Sequence, residues 1–522
     1  MSRAHAINEL ATGVPQQVQA QRSWHDALLL GVAYTLVQGG ILLVPGAVFW
    51  DDWLLFRSSP QAISEMFRDA GALFNAVTYL HLGMLALGMW SYKVLTFVLW
   101  FGSGLLLDRI LQRTGLFPRG ARLAVVLLFL VLPFNAARVA AINFPSTLTC
   151  FFFFLAWQLL DTRRIAALLL FALSFFTPSL LMFYALPMLD LAWRQGAFGS
   201  FAAMLRFAAR RLDFMLLPFA FFGLRLLTFD PSGTYAGYQS HYSLDNVRNA
   251  LKVQWLEFSL DMPLRLDLLL IAVLLPVAWL LLQRSGWSAL AQAPVGRRRA
   301  LAWLVLGVLA FVLGGFPYWV LGLLPLFAEW YSRHQLLLPL GTALVLVSLL
   351  WMLPRGVRTA AMSALLAVCL SFGAVHAYAL WVDWHKQMKL VELFQREPQL
   401  RAASAVVFVD RSTYLNALDR QYRFYDWGGL MEMAFGDQTR FGMNASDAKA
   451  YGAGRMDAYL QRQYKASGHR RDPQAGALQV EILAEPAAAT GPGYGIWRWP
   501  PLPPLQLRLS QLPPQALRAE GS

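Results

Sequence analysis

Apolar stretches long enough to cross a lipid bilayer recur along roughly the first 380 positions of this chain, and they limit what it can fold into. A hydrocarbon core of about 30 Å takes about 20 residues of helix rising 1.5 Å each, and only a helix satisfies its own backbone in that solvent. Spans are expected near 26–49, 91–110, 121–134, 146–160, 165–176, 179–193, 212–228, 265–283, 301–320, 334–353 and 359–381. With 57% hydrophobic and 14% charged residues and a mean hydropathy of +0.45, the composition is not that of a soluble domain. The expected fold is an α-helical polytopic membrane protein of about eleven transmembrane helices with a small α/β extracytoplasmic domain at the C-terminus.

Charge sets the expected orientation. Arginines crowd the loops holding Arg109, Arg113, Arg119 and Arg122; Arg163 and Arg164; Arg194 to Arg211; Arg284 to Arg299; and Arg355 and Arg358. The positive-inside rule makes these loops cytoplasmic. All share one side only if the chain turns around at Thr177-Pro178, so two short helices are preferred there to one long one. The N-terminal segment 1–25 is then cytoplasmic and lacks the apolar core of a signal peptide, so the first span acts as a signal anchor. The membrane portion covers 26–382, with a first external loop at 51–90, and 383–522 forms the soluble periplasmic domain.

In that tail, 402–410, 477–484 and 494–499 read as strands, 447–464 as a helix, and the proline-rich 500–522 as an extended or partly disordered strap. A net charge of +14 raises nucleic acid as a partner, but the arginines lie between apolar segments rather than on one basic face, which argues against it. Cys150 and Cys369 fall inside apolar stretches, offering neither a disulfide framework nor a thiolate metal site. Phosphate-binding loops, zinc-ligand spacing, a nucleophile elbow and a dinucleotide-binding glycine pattern are all missing.

Chemistry is concentrated on the other, arginine-poor side. Phe49-Trp50-Asp51-Asp52-Trp53 follows the first span, and two adjacent carboxylates at a membrane boundary must be solvated, paired or bound to a cation. They can equally mark a helix end, with the tryptophans as interface anchors. Short helical patterns at 62–70 and 76–87 then suit a segment lying along the membrane surface.

On these residues the chain resembles the GT-C superfamily of glycosyltransferases. That resemblance rests on architecture over the membrane portion and on the acidic pair. It implies sugar transfer from a polyprenyl-phosphate donor to a glycan, lipid or protein acceptor on the outer face of a bacterial inner membrane. It also implies that Asp51 or Asp52 is the general base or contacts a divalent cation such as Mg or Mn. A carboxylate base fits glycosyl transfer, because the acceptor hydroxyl loses its proton as the new bond forms.

Before the span at 334–353 stands Phe327-Ala328-Glu329-Trp330-Tyr331-Ser332-Arg333-His334. The planar fork of Arg333 suits a lipid phosphate, with Glu329, Tyr331 and His334 as further binding candidates, although a histidine at a helix end also serves as an interfacial residue. Arg138 breaks the charge pattern of the external side; it either holds phosphate, pairs with the acidic residues, or snorkels. The aromatic loop 230–263, with Tyr235, Tyr238, His241, Tyr242, Asp245 and Trp255, is a candidate lid, and Tyr422 to Trp427 reads equally as domain core. A transporter or flippase, or a scaffold for envelope assembly, is the alternative function.

Overall fold

The computed structural model describes residues 16–56, 58–69, 71, 75–228, 242–327, 330–403, 405–436, 440–447, 477–484 and 504–511. The chain is mostly helical, with a small sheet near the C-terminus. Among the described residues, five helices are long and apolar enough to cross a membrane: Trp24–Leu43, Met89–Thr114, Ala141–Leu159, Arg297–Trp319 and Arg355–Arg396. Helices stand at the other expected spans too, but they are shorter, as at Arg119–Val131, Arg164–Ser174, Leu268–Arg284 and Leu338–Met352. This architecture is compatible with a membrane-embedded protein.

Arg119–Val131 is buried on nearly every side, as an apolar-all-round helix must be when others enclose it. Elsewhere small residues let backbones approach. A Cβ on Gly341 would come within 2.3 Å of the Phe311 amide nitrogen, and one on Gly307 within 2.8 Å of the Val345 nitrogen. These contacts seat Arg297–Trp319 against Leu338–Met352, the small-residue packing used where lipid removes the hydrophobic drive between helices.

The arginine-rich loops meet at one end of the bundle. Asp26 binds Arg119 at 2.6 Å and Arg122 at 3.5 Å, and Arg122 reaches on to Asp108 at 2.8 Å. Arg194 binds both Asp161, at 2.5 Å, and Asp190, at 3.0 Å, while Arg358 donates to the carbonyls of Ala291 and Trp351. The Arg194–Asp161 contact settles the path at Thr177-Pro178. One helix ends at Ser174, the next begins at Ser179, and the chain returns to the end it left. Thr177 is held at that corner by a 2.7 Å hydrogen bond with Thr149.

At the opposite end, Pro60–Asp69 and Asn75–Leu87 form helices where the two surface-lying patterns were expected. The last long helix, Arg355–Arg396, has 42 residues, about twice what a bilayer needs, and runs unbroken through the expected boundary at 382/383. Among the described residues it leads into a four-stranded sheet of order β2-β1-β3-β4, with β1 Ala405–Asp410, β2 Phe441–Asn444, β3 Ala477–Ala484 and β4 Leu505–Gln511. β1 runs parallel to β2 and β3, and β4 antiparallel to β3, giving a small α/β unit around the helix Phe424–Phe435. The expected strand at 477–484 matches β3, and β1 lies within 402–410. Part of the expected strap is strand β4. The expected strand 494–499 and all but the first residue of the expected helix 447–464 lie outside the described residues.

Two fully buried groups weld this unit to the long helix. Lys386 donates to Asp410 and Asn416, each at 2.6 Å, and to the Ser412 carbonyl at 3.0 Å. Asp383 accepts from the Ala417 N–H at 2.9 Å and from the Tyr422 hydroxyl. Together they fix both ends of the loop that follows β1.

Candidate active site

Three loops converge on the arginine-poor end. The first begins at Phe49, whose extended backbone is followed by Trp50 at φ 54° and a short 3-10 helix, Trp50–Leu54. The second holds Asn135 at φ 55° and the 3-10 turn Ala136–Val139, and the third holds Leu418 at φ 59° ahead of Arg420. Among the described residues these are the only three non-glycine positions with positive φ. Such backbone costs about 1–3 kcal/mol each and persists where surrounding contacts enforce it, which is characteristic of functional sites. Two bonds hold the second loop to the 3-10 helix Trp330–Gln335: the Asn135 N–H donates to Gln335 Oε1 at 3.1 Å, and the Ala137 N–H to Ser332 Oγ at 2.9 Å.

The acidic pair is divided by its environment. Asp52 has no exposed side-chain surface, stands 3.8 Å from the equally buried Lys93, and accepts from the Ile142 N–H at 2.9 Å. Burial pushes its carboxyl above the usual range, against the Lys93 charge and the backbone donors of Ala141, Ile142 and Phe49. Lys93 also donates to the Val139 carbonyl. Asp52 therefore ties the first loop to the second and to the helix Met89–Thr114.

Asp51 faces outward, with 24% of its side chain exposed, and its Oδ1 lies 3.5 Å from Arg420. Arg420 also donates to the Tyr425 hydroxyl. Burial first, and then the Asp51 charge, raise the Tyr425 pKa, so the phenol keeps its proton and donates it to Asp51. Burial works against the charge on Arg420, but Tyr425, Asp426 and Asp51 outweigh it and hold the guanidinium above its ordinary pKa. Behind them, burial lifts the Asp426 carboxyl to about 8, against the pull of Arg420.

Arg420 lies over the Trp330 ring, 5.4 Å from its centroid, and Arg333 lies over the same ring at 4.8 Å. Trp50 meets Trp330 edge-on at 5.3 Å. Two guanidinium groups thus lie on a single indole, and one of them, Arg420, also meets the Asp51 carboxylate and the Tyr425 phenol. Neither a family model, nor a curated protein, nor a solved structure matches this chain. What the site can do must be read from its own groups.

Of the residues singled out in the sequence, Asp51 and Arg333 reach this mouth. Tyr331 is exposed beside it, and His334 is buried between the rings of Tyr318 and Tyr331, 5.1 and 5.7 Å away. Asp52 is withdrawn from it. Arg138 turns into the bundle, over Trp100 at 4.9 Å, and pairs with neither aspartate. Glu329, Tyr235, Tyr238 and His241 lie outside the described residues. Tyr242 and Trp255 are exposed.

Two contributors escaped the sequence reading, and a third, Tyr425, lay in the segment Tyr422 to Trp427 that it singled out without assigning a role. Lys93 is a lone lysine inside an apolar stretch, a signal that was available. Arg420 had no such signal, and the meeting of Arg420 and Tyr425 with Asp51 is tertiary. Asp52 is enclosed with Lys93, Asp51 is paired with Arg420, and among the described residues no three His, Cys, Asp or Glu side chains converge.

Proposed function

We propose that this chain is a glycosyltransferase of the bacterial inner membrane, moving a sugar from a polyprenyl-phosphate carrier to an acceptor hydroxyl on the periplasmic side. In this reading the arginine-rich end is cytoplasmic, the chain crosses about eleven times with its N-terminus inside, and the sheet lies outside. The observation that carries the proposal is the pairing of the partly exposed Asp51 carboxylate with Arg420, which lies on the same tryptophan that holds Arg333.

Each group then has a task. Asp51 accepts the proton of the acceptor hydroxyl while its oxygen bonds to the anomeric carbon. The bond from that carbon to the phosphate oxygen breaks, and its electron pair leaves with the polyprenyl phosphate. Arg420 and Arg333 take up the negative charge that builds there, the kind of phosphate recognition to which guanidinium groups are suited. Because Arg420 rests on Asp51, arrival of a donor phosphate draws the guanidinium away and frees the carboxylate to act as base. Asp52 holds the loop and takes no proton.

Transfer of radiolabelled sugar from polyprenyl-phosphate donors by the purified protein, compared with Asp51→Asn, tests the proposal. Movement of lipid-linked sugar across the membrane with no transfer would instead favour a flippase.

A further inference from the structure

Between the helices Ala185–Arg194 and Leu212–Thr228 the chain forms a further helix, Phe201–Arg210, that the mouth does not use. Ser200 caps its first turn, its hydroxyl accepting from the Ala203 N–H at 3.1 Å. At the other end the backbone leaves helical geometry at Arg211 (φ −118°, ψ 25°) and re-enters it at Leu212, so this is a separate helix and not the first turns of the next. Arg164 holds that junction: it donates to the Arg210 carbonyl at 3.1 Å and pairs with Asp213 at 2.5 Å. The helix therefore sits at the arginine-rich end, away from the proposed chemistry.

Its surface is divided three ways. Phe207 is buried with Leu191, Ala192 and Ala197, which fixes the helix on the bundle. Phe201, Met204 and Leu205, at the i, i+3, i+4 spacing of one helix face, are exposed, Phe201 by 71%. Arg206 and Arg210, four positions apart, are exposed on another face, with Arg211 beside them. Among the described residues no carboxylate pairs with Arg206, Arg210 or Arg211, whereas Arg164 and Arg194 at the same end are paired with Asp213, Asp161 and Asp190.

The apolar surface continues beyond the helix. Trp193 and Phe198 are exposed before it, and Leu212, Leu216 and Phe219 are exposed on the helix after it. In a membrane-embedded chain those last three face lipid, so the apolar face of Phe201–Arg210 stands where the bilayer begins. A soluble anion would satisfy the arginines and leave that face in water; uncharged lipid would cover the face and leave the arginines uncompensated. A surface of anionic lipid answers both, with the apolar side chains beneath the headgroups and the guanidinium groups among them.

We infer that Phe201–Arg210 is an interfacial helix that docks on anionic phospholipid in the leaflet at the arginine-rich end. The inference rests on the membrane embedding of the chain and is independent of sugar transfer.

The test uses the full-length protein with Met204→Cys carrying a nitroxide, the native Cys150 and Cys369 being buried. The protein is placed in phosphatidylcholine vesicles with and without phosphatidylglycerol. Collisions of the nitroxide with oxygen, which concentrates in the bilayer, are compared with collisions with a water-soluble nickel chelate. Oxygen is expected to be favoured in both vesicles, and more strongly with phosphatidylglycerol. Replacing Arg206, Arg210 and Arg211 together by glutamine is expected to remove the increase. A nitroxide that favours nickel in both vesicles would overturn the inference and leave the face to a protein partner. Equal ratios with and without phosphatidylglycerol, or an increase that the triple variant keeps, would overturn it as well. If the triple variant does not fold, high salt added to the protein with native arginines is expected to abolish the increase, and a salt-independent increase would contradict the docking as described. Sugar transfer is not part of the readout, so either reading can fail without the other.

Discussion

Arg420 Nη2 lies 3.5 Å from Asp51 Oδ1, although 369 positions separate the two in the chain. The contact joins the loop after the first long helix to the loop after β1, so the site is completed by the C-terminal unit. Lys386 and Asp383, on the long final helix, hold that second loop in place. A substrate at this mouth would touch both parts of the protein.

Arg420→Lys is predicted to lower kcat/KM for transfer by about 10–100-fold while leaving the fold intact. A lysine keeps the charge but loses the planar fork that stacks on Trp330 and donates to Asp51 and Tyr425 together. Steady-state transfer rates and thermal unfolding of the same preparations separate the two effects.

Lys93→Met is predicted to destabilise the protein by about 3–5 kcal/mol, since it leaves Asp52 buried without its cation. Asp52→Leu combined with Lys93→Met should be milder than Lys93→Met alone, because both charges then leave the interior. Unfolding in a fixed detergent checks the order. The opposite order would mean that the backbone donors of Asp52 outweigh its pairing with Lys93.

Stability is predicted to fall as pH rises from about 4 to about 8, in part through Asp426. Its carboxyl stays protonated in the folded protein up to about 8 but ionises in the unfolded chain near the ordinary aspartate value, so the folded state binds the extra proton across that interval. Asp426→Asn removes this contribution and should flatten the dependence. Midpoints of thermal unfolding at closely spaced pH values measure it.

Cysteines introduced at Tyr331 and Tyr414, both exposed at the arginine-poor end, are predicted to react with an impermeant maleimide applied from outside the cell. Cysteines at Arg163 and Arg355 should react only after permeabilisation. The native Cys150 and Cys369 are buried and contribute little background. Reversed labelling would invert the orientation and remove the proposed donor.

How far the sequence reaches can be seen residue by residue. Helices lie in the stretches expected to span, five of them long and apolar enough to cross a membrane, and the arginine loops gather at one end as their charge pattern implies. The reversal at Thr177-Pro178 followed from charge alone. The helix Phe424–Phe435 was not read, because its aromatic and acidic residues serve the core and the site at once. The acidic pair was legible as a pair, but its division was not: Asp52 is enclosed by Lys93 and by backbone 90 positions away. Arg138 was visible as an exception to the charge rule, yet its direction, into the bundle rather than toward Asp51, depends on the 3-10 turn Ala136–Val139.

The most direct test of the account is sugar transfer by wild type, Asp51→Asn and Asp52→Asn, at matched expression and with folding confirmed for each. Asp51→Asn is predicted to lose transfer by about 10²–10⁴-fold with its stability intact, the usual weight of a general base, whereas Asp52→Asn should be impaired mainly through stability. Full transfer by a folded Asp51→Asn variant would contradict the central claim.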